Sequence, residues 1–535
     1  MVRFVPLVFA SSLISCACAN SIEETTELPL SSEQLQNDIQ LPALKEHAKA
    51  LQGIADKSNG TRVFGSSGYN ASVGTYKFGF ICGSVLNLGL VFLDYVASIV
   101  EKAGYDIQYQ TFPHEYAEVI TQKLTIVPET PINITAMGYS PSTPPGGLIA
   151  PLILIAGPDA PSSVGCTPND FNGVDVQGKI ALIQRGNCSF ATKNENAKSA
   201  GAVGVIVYNN VDGPVSGTLG ASNATAYVPI GGISQADGQS LAGQLSNNHT
   251  IDAELELETS REIRYSSNVI ATSKGGNQSN IVFIGSHLDS VAAGPGINDN
   301  GSGSITVLEL AVQLAKYKLK NAVRFAWWTA EEVGLIGSTY YVNNLPESER
   351  KKIALYINLD MVASPNYVLA VYDGDGSAGT NPDSTPAGSG AIEKVFTDYF
   401  ASKNLSSVPT SFDGRSDYGP FIAKGVDIPS GGLFTGAEGK KTEEQAKMFG
   451  GTAGVAYDVN YHAKGDTYDN LNFDAFLINA EASAHALATF VESTKLLEDE
   501  KAAARVSSKV ASMITAAPND ALVVQGKSLC AGELA

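Results

Sequence analysis

His287, Asp289, Asp299, Glu331, Glu332 and Asp360 are the residues of this chain whose types and spacing could support chemistry together. Imidazole plus carboxylate without thiolate suits a catalytic zinc ion rather than a structural one, and an aspartate can bridge two ions roughly 3.5–4 Å apart. If Asp299, Glu331, Glu332 and Asp360 converge, repulsion and lost hydration raise their pKa values or unfold the site, and divalent cations remove that conflict. Each motif also has a plainer reading. A histidine after a strand is commonly hydrogen-bonded scaffold, and Ala-Glu-Glu alone is commonly a solvated helix start. Together they point to a metal site.

The elements that must position these groups are legible as short patterns. Ile281 to Ile284 reads as a buried strand, with His287 and Asp289 just past its carboxyl end, where ligands collect in open α/β sheets. Asp299 lies in a Gly/Asn-rich loop before a helical pattern with Ile305, Leu308, Ala311, Val312 and Ala315 on one face. A second strand, Val323 to Trp328, runs into Thr329-Ala330-Glu331-Glu332, and a third, Ile353 to Leu359, into Asp360-Met361. Trp327 and Trp328 read as core.

A chain of 535 residues exceeds one ordinary core, so at least two domains are expected. With 35 basic against 54 acidic residues the net charge is −19 and the pI near 4.8, which repels phosphate backbones and anionic membranes. Nucleic acid is excluded as a partner. Arg3, the apolar stretch Phe4 to Ile14 and Ala17-Cys18-Ala19 make a secretory signal over 1–19. The remaining cysteines, Cys82, Cys166, Cys188 and Cys530, then reach a compartment where disulfides persist. Sequons at Asn59, Asn70, Asn133, Asn187, Asn223, Asn248, Asn277 and Asn404 fit a glycoprotein, whereas Asn300, beside Asp299, is expected to stay bare. Residues 20–41 read as a mobile arm or short propeptide, and Pro42 to Ser58 as a helix. From Pro131 to Glu256 the texture changes to short β-like runs with Gly/Pro/Asn turns, and beyond Glu492 to a mixed-charge helix-like piece and a weakly patterned tail.

The phrases GSHLDSVAAGPGINDNGSGS, RFAWWTAEEVGLIGSTYYVNNLP, NLDMVASPN, GRSDYGPF, GGLFTG and YDVNYHAKGDTYDNLN resemble the co-catalytic dizinc aminopeptidases, in particular the fungal secreted or vacuolar, leucine aminopeptidase-like enzymes. The resemblance spans roughly Ser267 to Glu492 and implies a zinc exopeptidase fold: an α/β domain with a mixed central sheet flanked by helices. GKIALIQRG and the pair Cys166 and Cys188 resemble an inserted protease-associated domain, which implies that these cysteines are bridged. The domains expected are then a peptidase in two parts, 42–130 and 257–497, the β-rich insert 131–256 and a tail 498–535.

Carried over residue by residue, the resemblance implies two zinc ions. One is held by His287, Asp299 and Asp360, the other by Asp299, Glu332 and His462, with Asp299 shared. It implies that Glu331 is the general base toward a dizinc-bound water, that Asp289 accepts a hydrogen bond from the His287 ring, and that Tyr461 steadies the oxyanion. The family's shorter, secreted bacterial member flanks the second histidine with a disulfide, whereas here Asn460 and Asp466 occupy that neighbourhood, so loop rigidity must come from elsewhere. Arg415 is implied to assist capture of the substrate's α-ammonium group, with a structural ion pair to Asp413 or Asp417 as its plainer role. Met361 and Phe434 match an apolar pocket for leucine and other hydrophobic amino-terminal residues. Peptides are the expected partners, a monomer the expected state, and secretion or a vacuole the expected destination.

Gly74 to Leu93 interrupts a family phrase in which Gly68-Tyr69-Asn70-Ala71-Ser72 leads directly into Asp94-Tyr95-Val96. Its apolar core is too short for a membrane span, so the mature chain has none. A buried hairpin or helix competes with the favoured reading, translated non-coding sequence, which would remove Cys82. The other functions weighed are a carboxypeptidase or glutaminyl cyclase on the same fold, and a receptor-like binding protein that keeps the fold without catalysis.

Overall fold

A computed structural model describes residues 27–73, 95–128, 130–155, 165–215, 217–219, 225–379, 381 and 385–515. The signal, the apolar insert, Asn223, Cys82 and Cys530 lie outside the described residues.

Three parallel strands form the middle of the main sheet: Asn277–His287 pairs with Asn321–Trp328 on one side and Ile353–Leu359 on the other. Their residues are apolar almost without alternation because helices cover both faces. In register, His287 lies opposite Trp328, and Gly285 opposite Asn358. All three strands therefore end at one level, and the loop after each opens on the same edge. Ser430–Phe434 and Ala370–Tyr372 extend the sheet beyond Ile353–Leu359, the latter antiparallel, so the sheet is mixed.

One face buries helices Leu41–Asp56, Gly303–Leu314 and Phe473–Glu492 in a single core. The other face builds an aromatic cluster around Phe283, Trp328, Tyr356 and Phe421, with the Tyr356 and Phe421 rings stacked 3.9 Å apart. Trp327 and Trp328 are both fully buried, and their indole N–H groups donate to the Ser304 carbonyl and the Tyr356 hydroxyl.

Strands Asp106–Ile126 and Asp252–Thr272, each 21 residues, form a long antiparallel ribbon. At one end Val269–Thr272 pairs with Asn321–Trp328, and at the other Asp252–Leu255 pairs with Leu148–Leu154. Beyond it lies a second unit, with parallel strands Ile180–Gln184, Gly204–Tyr208 and Ile230–Ile233 and cores of its own. The boundary expected at 256/257 falls inside this ribbon. Cys166 and Cys188 are bridged, with their sulfurs 2.08 Å apart.

One segment is more ordered than its composition suggested, and the mixed-charge helix expected beyond Glu492 is present. Within the expected mobile arm, Leu28–Pro29 pairs with Tyr317–Lys318, and helix Ser32–Asp38 docks through Leu35 and Ile39, which are buried. Ser32 bonded to the His485 ring and Asp38 bonded to the Tyr317 hydroxyl add polar anchors at its two ends. Within the tail, helix Lys495–Thr515 carries Glu500, whose carboxylate accepts the main-chain N–H groups of Gly388 and Ala391 at the start of helix Ser389–Ser402.

Candidate metal centre

The three strand ends deliver their groups into one buried pocket. His287 follows directly from its strand, and its Nε2 lies 3.4 Å from Asp299 Oδ1 and 3.5 Å from Asp360 Oδ1. His462, from the loop before helix Phe473–Glu492, places Nε2 3.2 Å from Asp299 Oδ2 and 3.0 Å from Glu332 Oε2. The Asp299 carboxylate thus turns one oxygen to each histidine, as a bridging ligand must. Glu331 Oε2 stands 3.7 Å from His287 Nε2, so it shares the pocket.

Buried polar atoms without partners mark where cations would sit. Asp360 Oδ2 accepts a 2.5 Å hydrogen bond from Ser416, while Asp360 Oδ1 and Glu332 Oε1 have none. A buried carboxylate oxygen left bare is costly unless a cation or a proton meets it. Oxygen and imidazole donors of this kind suit divalent metals, and His287, Asp299 and Glu332, or His287, Glu331 and Asp360, cluster tightly enough to hold one ion.

With no cation between them, the groups perturb one another strongly. Burial first, then repulsion from Asp299, pushes Glu332 up to about 7, and burial pushes Asp417 up to about 7. Burial raises Glu331 well above the carboxylate range, with Glu332, Asp417 and Asp360 adding to it and His287 opposing. Burial works against a charged His287, yet Glu331 and Asp360 hold its pKa well above the usual value, and Asp299 and Glu332 do the same for His462. These folded-state values lie above their unfolded ones, so stability falls as pH rises through them, whereas Asp299, against its burial, is held below the usual carboxylate range by His287 and His462 and loses its contribution only in acid well below pH 5.5. The metal-free protein is therefore expected to unfold at a lower temperature at pH 8 than at pH 5.5, and added zinc to remove or reverse that trend. A chelated protein whose melting temperature rises between those two pH values would contradict the clustering.

Neighbouring residues fix the ligands. The His287 Nδ1 contacts the main-chain carbonyl of Asp289 at 3.2 Å, whereas its distance to the Asp289 carboxylate is 3.7 Å. Both the carbonyl and the carboxylate of Asp289 thus face Nδ1, the carboxylate helping to hold the His287 pKa up, and that carboxylate also accepts the N–H of Glu331 at 3.2 Å.

The rigidity that a disulfide would have given the His462 loop comes from carboxylates. Asp466 accepts the N–H groups of Asn298 at 2.7 Å and Asp299 at 2.9 Å. Asp458 accepts from the Asn298 and Asn470 side chains, which ties the His462 loop to the Asp299 loop. Asn300 is fully buried, donating to the Leu359 carbonyl and accepting from Gly303, so its sequon offers no acceptor for a glycan.

The pocket opens into a cleft of about 550 Å³ lined by Met361, Phe434, Leu335, Tyr372 and Tyr418, with Arg415 and Tyr461 also on its wall. Gly217 and Thr218, from the second unit, line it as well. Arg415 pairs with neither Asp413 nor Asp417 through its side chain. Asp417 is fully buried, and the guanidinium reaches Glu438 at 3.0 Å and donates to the Tyr461 hydroxyl at 3.2 Å. The Tyr461 ring stacks on His462 at 3.8 Å. Glu438 and Arg62 were not legible as site residues, because each acts across the fold and no short motif marks it, and the bonds that Asp458 and Asp466 make to the Asp299 loop were not legible although both residues lie in a quoted motif.

Residues 268–487 match the model of peptidase family M28, and residues 148–241 that of the PA domain. The chain is 50% identical over 404 residues to the probable leucine aminopeptidase 2 of Aspergillus fumigatus, an alignment covering 75% of this chain and 77% of that protein. This chain belongs to peptidase family M28. The probable leucine aminopeptidase 2 of Aspergillus oryzae is 45% identical to this M28 chain, covering 86% of each. Among solved structures, the M28 chain resembles an aminopeptidase from Aneurinibacillus sp. strain AM-1, with a TM-score of 0.67, 29% identity and coverage of 85% of this chain and 95% of that one. A zinc aminopeptidase from Bacillus subtilis aligns with a TM-score of 0.57 and 26% identity, covering 87% of this chain and 96% of that one.

Proposed function

We propose that this M28 peptidase removes single amino-terminal residues, leucine and other hydrophobic ones foremost, from peptides, with two zinc ions held at the pocket. Support comes from relatives named probable leucine aminopeptidases and from a structural neighbour that is a zinc aminopeptidase. The observation that carries the two-ion reading is the Asp299 carboxylate, with one oxygen toward His287 and the other toward His462. His287 and Asp360 would complete one centre, Glu332 and His462 the other. Three ligand carboxylates against four positive charges leave the centre electrophilic.

Bound zinc supplies a lowered pKa for water and a polarised scissile carbonyl. Glu331 takes the proton from the attacking water and passes it to the departing amine, a task for a carboxylate that lies in the pocket beside the ligand residues. The acid-rich pocket attracts the substrate's α-ammonium group, and Met361 and Phe434 surround its side chain. Arg415 donates to the Tyr461 oxygen, which leaves the phenolic proton free to point at a developing oxyanion. Tyr461→Phe is expected to lower kcat by about 10²-fold with KM little changed. Glu438→Gln, which releases Arg415, is expected to cost less, and nothing further in the Tyr461→Phe background. Additive losses in the double variant would separate Arg415 from Tyr461.

Secretion is the destination this reading favours. The amino-terminal signal pattern, the Cys166–Cys188 bridge and the exposure of Asn59, Asn133, Asn187, Asn248, Asn277 and Asn404 support it, with Asn70 half-buried. No helix among the described residues is long and apolar enough to cross a membrane. A monomer remains the proposed state, and a vacuole the alternative destination.

The test is a panel of aminoacyl-nitroanilides and amino-terminally blocked peptides. Leucine-nitroanilide should be hydrolysed, chelator should abolish that activity and zinc restore it, and blocked peptides should survive. Cleavage of a blocked peptide, or release of carboxyl-terminal residues, would overturn the reading.

A further inference from the structure

We propose that Arg62 is a positioning residue of the metal site, a buried guanidinium that shapes the loop between His287 and Asp299 before any cation arrives. The inference rests on the two-zinc reading above. Arg62 sits just before helix Ser67–Val73, far in sequence from the loop it holds, and is fully buried. Its Nε donates to the Pro295 carbonyl at 3.0 Å, its Nη2 to the Gly296 carbonyl at 2.5 Å, and its Nη1 to the Leu288 carbonyl. Its main-chain N–H donates to the Ser290 hydroxyl at 2.8 Å, and the Ser290 N–H donates back to the Arg62 carbonyl at 3.2 Å.

These bonds grip both ends of the segment 288–296, and Asp466 takes over at Asn298 and Asp299. The chain passes so close that the fit leaves no slack. A β-carbon at Gly296, where φ is +65°, would lie 2.6 Å from the Ser290 β-carbon and 3.2 Å from Arg62 Nη2.

A buried cation normally pairs with a carboxylate, yet all three of these guanidinium bonds end on carbonyl oxygens. Burial pulls the Arg62 pKa down, while Asp289, Asp466, Glu332 and Asp299 favour its charge from further away. Arg62 thus adds a fixed positive charge behind the acids without occupying the oxygens that zinc would use. Lysine could supply the charge but not the planar fork that reaches three divergent carbonyls.

A residue that merely stabilises the fold would lower the melting temperature of metal-free and zinc-loaded protein alike. A positioning residue reduces the rise that zinc brings. The experiment strips the full-length chain of metal and measures zinc affinity by competition with a chromophoric chelator, together with melting temperatures with and without zinc. Arg62→Lys is expected to bind zinc about 10–100-fold more weakly and to show a smaller zinc-induced rise. Should that variant fail to fold, Ser290→Ala, which removes one of the bonds to Arg62, is expected to weaken zinc binding in the same direction by a smaller factor. Wild-type zinc affinity in the folded variants, or an equal fall in both melting temperatures, would overturn the proposal. Absence of zinc binding by the unaltered chain would overturn the two-zinc reading, and this inference with it.

Discussion

Glu331→Gln is expected to lower kcat by about 10²–10⁴-fold while the chain keeps both zinc ions. The amide preserves the size and much of the polarity of the side chain but cannot accept the proton of the attacking water. Glu331 is positioned for that task by the Asp289 carboxylate, which holds its main-chain N–H, and by the pocket that buries it. Turnover of leucine-nitroanilide with zinc analysis of the same sample checks both halves. A fully active variant would remove Glu331 from the chemistry. A variant that loses zinc would make Glu331 a ligand, since its carboxylate also lies within reach of His287 and Asp360.

Asp299→Asn is the second large effect. Removing the charge from a side chain that faces both histidines deprives each centre of a donor and leaves His287 and His462 without their shared anion. Metal affinity should fall by more than the roughly 10–100-fold that loss of an outer partner costs, and activity should fall with it. Asp360→Asn, which touches one centre, is expected to release about one zinc ion and spare the other. Equal losses from the two variants would argue against a bridge.

Much of the site was legible because its residues follow local patterns. His287, Glu331, Glu332 and Asp360 each sit within a few residues of an apolar strand, and parallel pairing in register brings strand ends together. Asp299 was legible through its Gly/Asn-rich loop. The supporting shell was not, because its logic lies in contacts across hundreds of residues. Arg62 grips a loop near residue 290, and Asp466 receives the N–H of Asp299. The long ribbon was hidden for another reason: Asp252–Thr272 alternates like an ordinary strand through residues that two different units share. The docking of residues 28–39 turns on Leu35 and Ile39, too short a signal to outweigh an acidic, Ser/Thr-rich surrounding.

Cations are required to hold these carboxylates together at neutral pH. Anomalous diffraction at the zinc edge, from crystals of the full chain grown with zinc, tests that claim most directly. Two peaks are predicted, one among His287, Asp299 and Asp360, the other among Asp299, Glu332 and His462. A pocket without anomalous density, its acids held by protons or hydrogen bonds alone, would contradict it.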